Sequence, residues 1–196
     1  MQAPIPGRIK VRLAEDVGPS AAAEVHWQIG RRIVSQVAGS GYRTTVWFTP
    51  PSEGAFIREW LEGLGRVDLR PQAAGNMSAR LAHAFARHFA DGARRAVIIS
   101  GDCPGINRRA VTEAFTALGG CDVVLGPTSI GGAYLIGLNE SQPALFRGLP
   151  GQIRRRAAAE GLSLRVLRPL REVRTLQDAR VLGLLKSQST IDRTSP

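Results

Sequence analysis

Apolar residues in this chain recur at two periods that take turns along its length. Val25, Ile29, Ile33 and Val37 lie four residues apart, the repeat of one helix face, and Pro19-Ser20 suit a helix start. The pattern predicts a helix from Pro19 to about Val37, stopped by Gly39 and Gly41. Met77, Leu81, Ala84, Phe85 and His88 share a face of a second helix. Further helices are expected over 56–64, 106–118, 153–160 and 176–185. Between them run short β-branched or apolar stretches at 44–48, 67–69, 96–99, 122–125, 133–138 and 162–167. Ala96 to Ile99 is apolar at every position, which predicts a strand covered on both faces.

Strands and helices that alternate at this spacing specify an α/β fold, a three-layer α/β/α domain around a mostly parallel sheet. The 196 residues suit one domain over 1–185 and a polar tail over 186–196. Ligands in such sheets sit at the carboxyl ends of the strands, so the loops after the apolar strands carry the functional expectations.

Charge changes this picture less than its size suggests. The net value of +10 raises the question of nucleic acid, but Lys10 and Lys186 are the only lysines and the arginines are scattered. The densest run, Arg154-Arg155-Arg156, has no interleaved aromatic on which a base could stack. Specific nucleic-acid binding is not expected; a positive field that gathers phosphorylated ligands is. No apolar run approaches the roughly 20 residues of a membrane span, and residues 1–10 lack a signal-peptide pattern, so a cytoplasmic protein is expected. Cys103 and Cys121 follow neither a zinc nor a disulfide spacing.

Three segments could carry chemistry. Asp102 follows the apolar strand directly, after the turn Ser100-Gly101 and before Pro104. A carboxylate there could hold a hard cation against a diphosphate, or could cap the next helix. Residues 4–13 set Arg8, Lys10 and Arg12 at alternating positions after Gly7, either a phosphate-gripping loop or a solvated basic arm. The pair Gly131-Gly132 between two strands is either a plain turn or a place where backbone approaches a ligand.

Taken in order, the segments 4–13, 72–80, 100–104, 126–138 and 172–178 resemble a bacterial glycosyltransferase-like family of the nucleotide-diphospho-sugar transferase superfamily (GT-A-like). The resemblance spans nearly everything from Ala3 to about Leu185. It implies transfer of a sugar from a nucleotide-activated donor to an acceptor. Gly7, Arg8, Lys10, Arg12, Asn76 and Arg80 would face nucleotide and phosphates, and Asp102 would be catalytic, binding Mg2+ or Mn2+. Gly131, Gly132, Tyr134 and Arg174 would border the sugar or acceptor pocket. Cations around the diphosphate would stabilise the departing nucleoside diphosphate. A nucleotidyltransferase of the same fold and a non-catalytic nucleotide-binding relative are the alternatives.

Four departures from the family pattern bear on this. A hydrophobic strand usually precedes the phosphate loop, and without it a central strand edge would lie unpaired unless an upstream segment, another segment or another chain fills the place. A homo-oligomer is one such arrangement. Ile130 stands at a family aspartate, and Arg174 at a second one, with Glu172 two residues before it. The stretch Gly148 to Arg156 is shorter than usual.

Overall fold

The computed structural model describes residues 1–147 and 152–185. Helix α1 (Val11–Val17) and the long α2 (Pro19–Ala38) lead into β1 (Thr44–Phe48). Then come α3 (Gly54–Trp60), β2 (Val67–Pro71), α4 (Met77–Ala90), β3 (Ala96–Ile99) and α5 (Arg108–Ala117). The chain closes with β4 (Val123–Pro127), β5 (Ala133–Leu138), α6 (Ile153–Ala159), β6 (Leu164–Val166) and α7 (Leu176–Val181). The expected tail over 186–196 and part of the shortened stretch, residues 148–151, lie outside the described residues.

The strands divide into a parallel pair, β1-β2, and a four-stranded sheet in the order β3-β5-β4-β6. Within the latter β4 and β6 are parallel, while β5 runs against both β3 and β4. Three of its four strands therefore point one way. Layering follows from side-chain alternation: Val124 and Leu135 face a core shared with α1, α2, α5 and α7, whereas Val123, Leu125 and Ile136 face α4 and α6. A smaller cluster with Val46, Phe48, Ile57 and Trp60 covers the β1-β2 pair.

The chain departs from its pattern in two places. Val11–Val17 is helical, although its neighbourhood reads as a basic loop, because the left-handed Lys10 (φ 49) ends the loop and starts the helix at once. Strand β3 is not covered on both faces: Ala96 is buried, but Val97 to Ile99 are only half-buried. The cause lies beside it. Among the described residues, neither the outer edge of β3 nor that of β1 pairs with a strand, and a cavity of about 470 Å³ lies between them. No described helix is long and apolar enough to cross a membrane.

Candidate functional site

The turn after β3 and the N-terminal loop meet through one ion pair. The loop folds back on itself by the Arg8 N–H donating to the Ile5 carbonyl, with Gly7 at φ 78, where a side chain would be strained. Lys10 then adopts its left-handed conformation and sends its ammonium inward. Lys10 Nζ donates to Asp102 Oδ1 at 2.5 Å and to the Val173 carbonyl at 2.7 Å, and its side chain is 7% exposed. The Val173 N–H in turn donates to the Asp102 carbonyl. Three segments far apart in sequence are thus clamped around one buried cation. Asp102 does not cap the following helix; the Asn107 side chain does, accepting from the Ala110 N–H at 3.0 Å.

The β4-β5 turn forms the neighbouring wall. The Gly132 N–H donates to the Thr128 hydroxyl, the Thr128 N–H to the Gly132 carbonyl, and Gly131 sits at φ 90. A side chain at Gly132 would meet Thr128 at 3.0 Å and lie 3.9 Å from Glu172 Oε2, so turn and Glu172 are adjacent. Arg174 Nε donates to Glu172 Oε1 at 3.0 Å. Arg174 thus neutralises Glu172 as Lys10 neutralises Asp102.

The remaining expected residues divide by location. Arg8 and Arg12 are exposed and make no ion pair among the described residues, leaving their guanidinium groups available to an anion. Arg80 binds the Gly75 carbonyl and the Gln72 side chain, and lies close enough to Met1 to repel its amine. Asn76 is occupied as the N-cap of α4, accepting from the Ala79 N–H. Tyr134 is buried, its ring packed over Gly126 and its hydroxyl donating to the Arg168 carbonyl, so it shapes the wall from behind. Ile130 is exposed at the tip of the turn.

Two participants were missed in the sequence. The Val173 carbonyl is a backbone group without a residue-type signal. The Met1 amine is buried beside β1, where it donates to the Trp47 carbonyl; burial above all drives its pKa from 8.0 down to about 6. Cys103 is buried beside Asp102, and burial raises its thiol to about 12, which removes it as a nucleophile.

The acidic side chains at the site are paired with cations. Asp102 is held by Lys10 and Glu172 by Arg174, and no group of three or more His, Cys, Asp or Glu converges among the described residues. What the site offers a ligand is positive charge, from the unpaired Arg8 and Arg12 and from one ammonium already oriented.

A family profile described as an uncharacterized protein conserved in bacteria (DUF2064) matches residues 32–151. Among solved structures, the chain aligns over its full length with 88% of a Desulfovibrio desulfuricans G20 protein provisionally named a nucleotide-diphospho-sugar transferase, at TM-score 0.87 and 25% identity. It aligns over 78% with 83% of the 4-diphosphocytidyl-2C-methyl-D-erythritol synthase of Anaerococcus prevotii DSM 20548, at TM-score 0.62 and 8% identity. It also aligns over 79% with 73% of a cytidylyltransferase from Leptospira borgpetersenii, at TM-score 0.56 and 14% identity. The latter two likenesses show the fold alone. No curated protein matches the chain.

Proposed function

Because the chain belongs to the bacterial family DUF2064 and carries a nucleotide-diphospho-sugar transferase fold, we propose that it binds the diphosphate of a nucleotide-activated sugar and transfers the sugar. The observation that carries this reading is the buried Lys10 ammonium, fixed by Asp102 and the Val173 carbonyl at the carboxyl end of β3. Lys10 has three N–H donors, and those two contacts leave one for a phosphate oxygen. Arg8 and Arg12 add exposed charge from the loop and first helix, and Asp102 acts by positioning Lys10. In transfer, an acceptor hydroxyl bonds to the anomeric carbon while the carbon–oxygen bond to the β-phosphate breaks. The electron pair leaves with the nucleoside diphosphate, where fixed cations stabilise it. The acceptor's proton goes to a base, and Glu172, the carboxylate beside Gly132, is the group at hand.

Titration calorimetry with ADP, GDP, CDP and UDP and their common sugar conjugates tests this. Saturable binding is expected for at least one, weakened tenfold or more (about 1.4 kcal/mol) by Lys10→Met. Failure of every one of these ligands to bind would sink the proposal. Pyrophosphate release from a nucleoside triphosphate and a sugar phosphate would instead assign nucleotidyl transfer to the same site.

A further inference from the structure

The fold treats the two oxygens of Glu172 differently. The side chain is 14% exposed, and Oε1 accepts from Arg174 Nε at 3.0 Å. Oε2 has no hydrogen-bond donor among the described residues, yet it is not sealed from solvent. Burial to this degree costs a carboxylate much of its hydration, so the free oxygen favours a donor brought by a ligand. Gly132 keeps the space before it open: a β-carbon there would stand 3.9 Å from Oε2 and 3.0 Å from the Thr128 hydroxyl oxygen. The turn does not supply that donor itself, because the Gly132 N–H goes to the Thr128 hydroxyl and the Gly131 N–H to the Thr128 carbonyl.

The segment that carries the pair is held from both sides. Val173 is tied to the turn after β3, its N–H on the Asp102 carbonyl and its carbonyl on Lys10. On the other side, Asp178 of α7 accepts from the Arg174 and Thr175 N–H groups and from the Thr175 hydroxyl. Its second oxygen pairs with Arg171 at 3.1 Å. The backbone under Arg174 is thus fixed, and its side chain turns back two residues to Glu172. We propose that Arg174 is a positioning residue: it holds Glu172 Oε1 so that Oε2 alone takes the proton of the attacking hydroxyl beside Gly132. This rests on the sugar-transfer reading and adds to it the atom that receives the proton and the residue that selects that atom. With water as acceptor, the water oxygen bonds to the anomeric carbon and its proton passes to Oε2. The carbon–oxygen bond to the β-phosphate breaks, and its electron pair leaves on the nucleoside diphosphate. Without Arg174 the carboxylate turns about its terminal bond, a broad torsion, and Oε2 faces the gap only part of the time.

The test uses the 196-residue chain, the ADP, GDP, CDP and UDP conjugates of glucose, and water as acceptor, with released nucleoside diphosphate as the readout. For a conjugate that binds by calorimetry, Arg174→Met should lower kcat about tenfold or more and leave KM within about twofold, the pattern of a group that acts on the chemical step. Arg174 is 52% exposed, so its loss leaves the core untouched. Arg174→Lys should recover kcat to within about threefold of the parent chain. In a Glu172→Gln background, Arg174→Met should change kcat by less than about twofold, a dependence that a merely structural role would not show. Unchanged kcat in Arg174→Met, a rise in KM in place of the fall in kcat, or an equal loss with Glu172 replaced would each overturn the proposal. So would a conjugate that binds but is cleaved no faster than without protein. Failure of every conjugate to bind is a different result: it removes the sugar-transfer reading, and this inference with it.

Discussion

The mouth around Lys10 and the cleft between β1 and β3 lie at neighbouring points of the fold yet treat polar groups in opposite ways. At the mouth every acidic side chain has a cation of its own: Lys10 for Asp102 and Arg174 for Glu172. In the cleft, backbone groups of two strands face a cavity and an amine is buried next to them. The mouth is therefore preorganised, and a ligand arriving there uses the donors that its ion pairs leave free. In the cleft the described residues leave both strand edges unpaired, and an occupant there adds contacts to them. Binding at the mouth should read out as affinity without added stability of distant elements, whereas filling the cleft should read out as protection of strand edges.

The largest effect expected from this contrast is a pH dependence that belongs to the cleft. The Met1 amine sits at about 6 in the folded chain against 8.0 when free. Between these values the unfolded chain binds a proton that the folded chain does not, so stability rises as pH goes from 6 to 8 and levels off outside that window. The two-unit difference is worth at most about 3 kcal/mol. Burial also lowers the His26 pKa, which adds a contribution of the same sign below the ordinary histidine range. Urea unfolding across pH 5.5 to 8.5 measures the sum, and acetylation of the amine should flatten the upper part alone. An unchanged profile after acetylation would mean the amine is hydrated and the cleft open to water.

A smaller effect is expected at the mouth. Lys10→Met removes the cation from a pair in which Asp102 is still 39% exposed, so the carboxylate can rehydrate. The cost should be about 1–2 kcal/mol rather than that of a fully buried break. Adding Asp102→Asn should recover part of it, and a coupling energy near 1 kcal/mol in the double-mutant cycle is the expected signature. Additive losses would mean that the two side chains do not act as a unit, and the contrast between mouth and cleft would lose its first term.

How much of this was legible in the sequence follows the range of each interaction. The four-residue period of α2 and the apolar runs of β1, β3 and β5 are local, and the chain forms those elements where the pattern puts them. The order of segments along the chain pointed to the mouth, and the fold brings Lys10, Asp102, the Gly131-Gly132 turn and Glu172-Val173-Arg174 together. The partners were not legible. Lys10 and Asp102 are 92 residues apart, and nothing in either segment says that one would neutralise the other. The α4 cap made by Asn76 and the burial of Tyr134 likewise depend on what packs around them. The half-exposed state of β3 follows from an outer edge that no described strand pairs, which the composition of β3 itself does not encode.

The smallest expected effect separates the two ways a mouth of this kind can hold a diphosphate. If Lys10, Arg8 and Arg12 supply the charge, nucleotide affinity should differ by no more than about threefold, roughly 0.7 kcal/mol, between EDTA and millimolar magnesium or manganese. If Asp102 instead exchanges Lys10 for a divalent ion when ligand arrives, affinity should rise well beyond that in metal and the rise should vanish in Asp102→Asn. The first outcome keeps the mouth as a preorganised cationic site. The second would make the Lys10–Asp102 pair a resting contact that opens, and the mouth would then be completed by its ligand rather than preorganised for it.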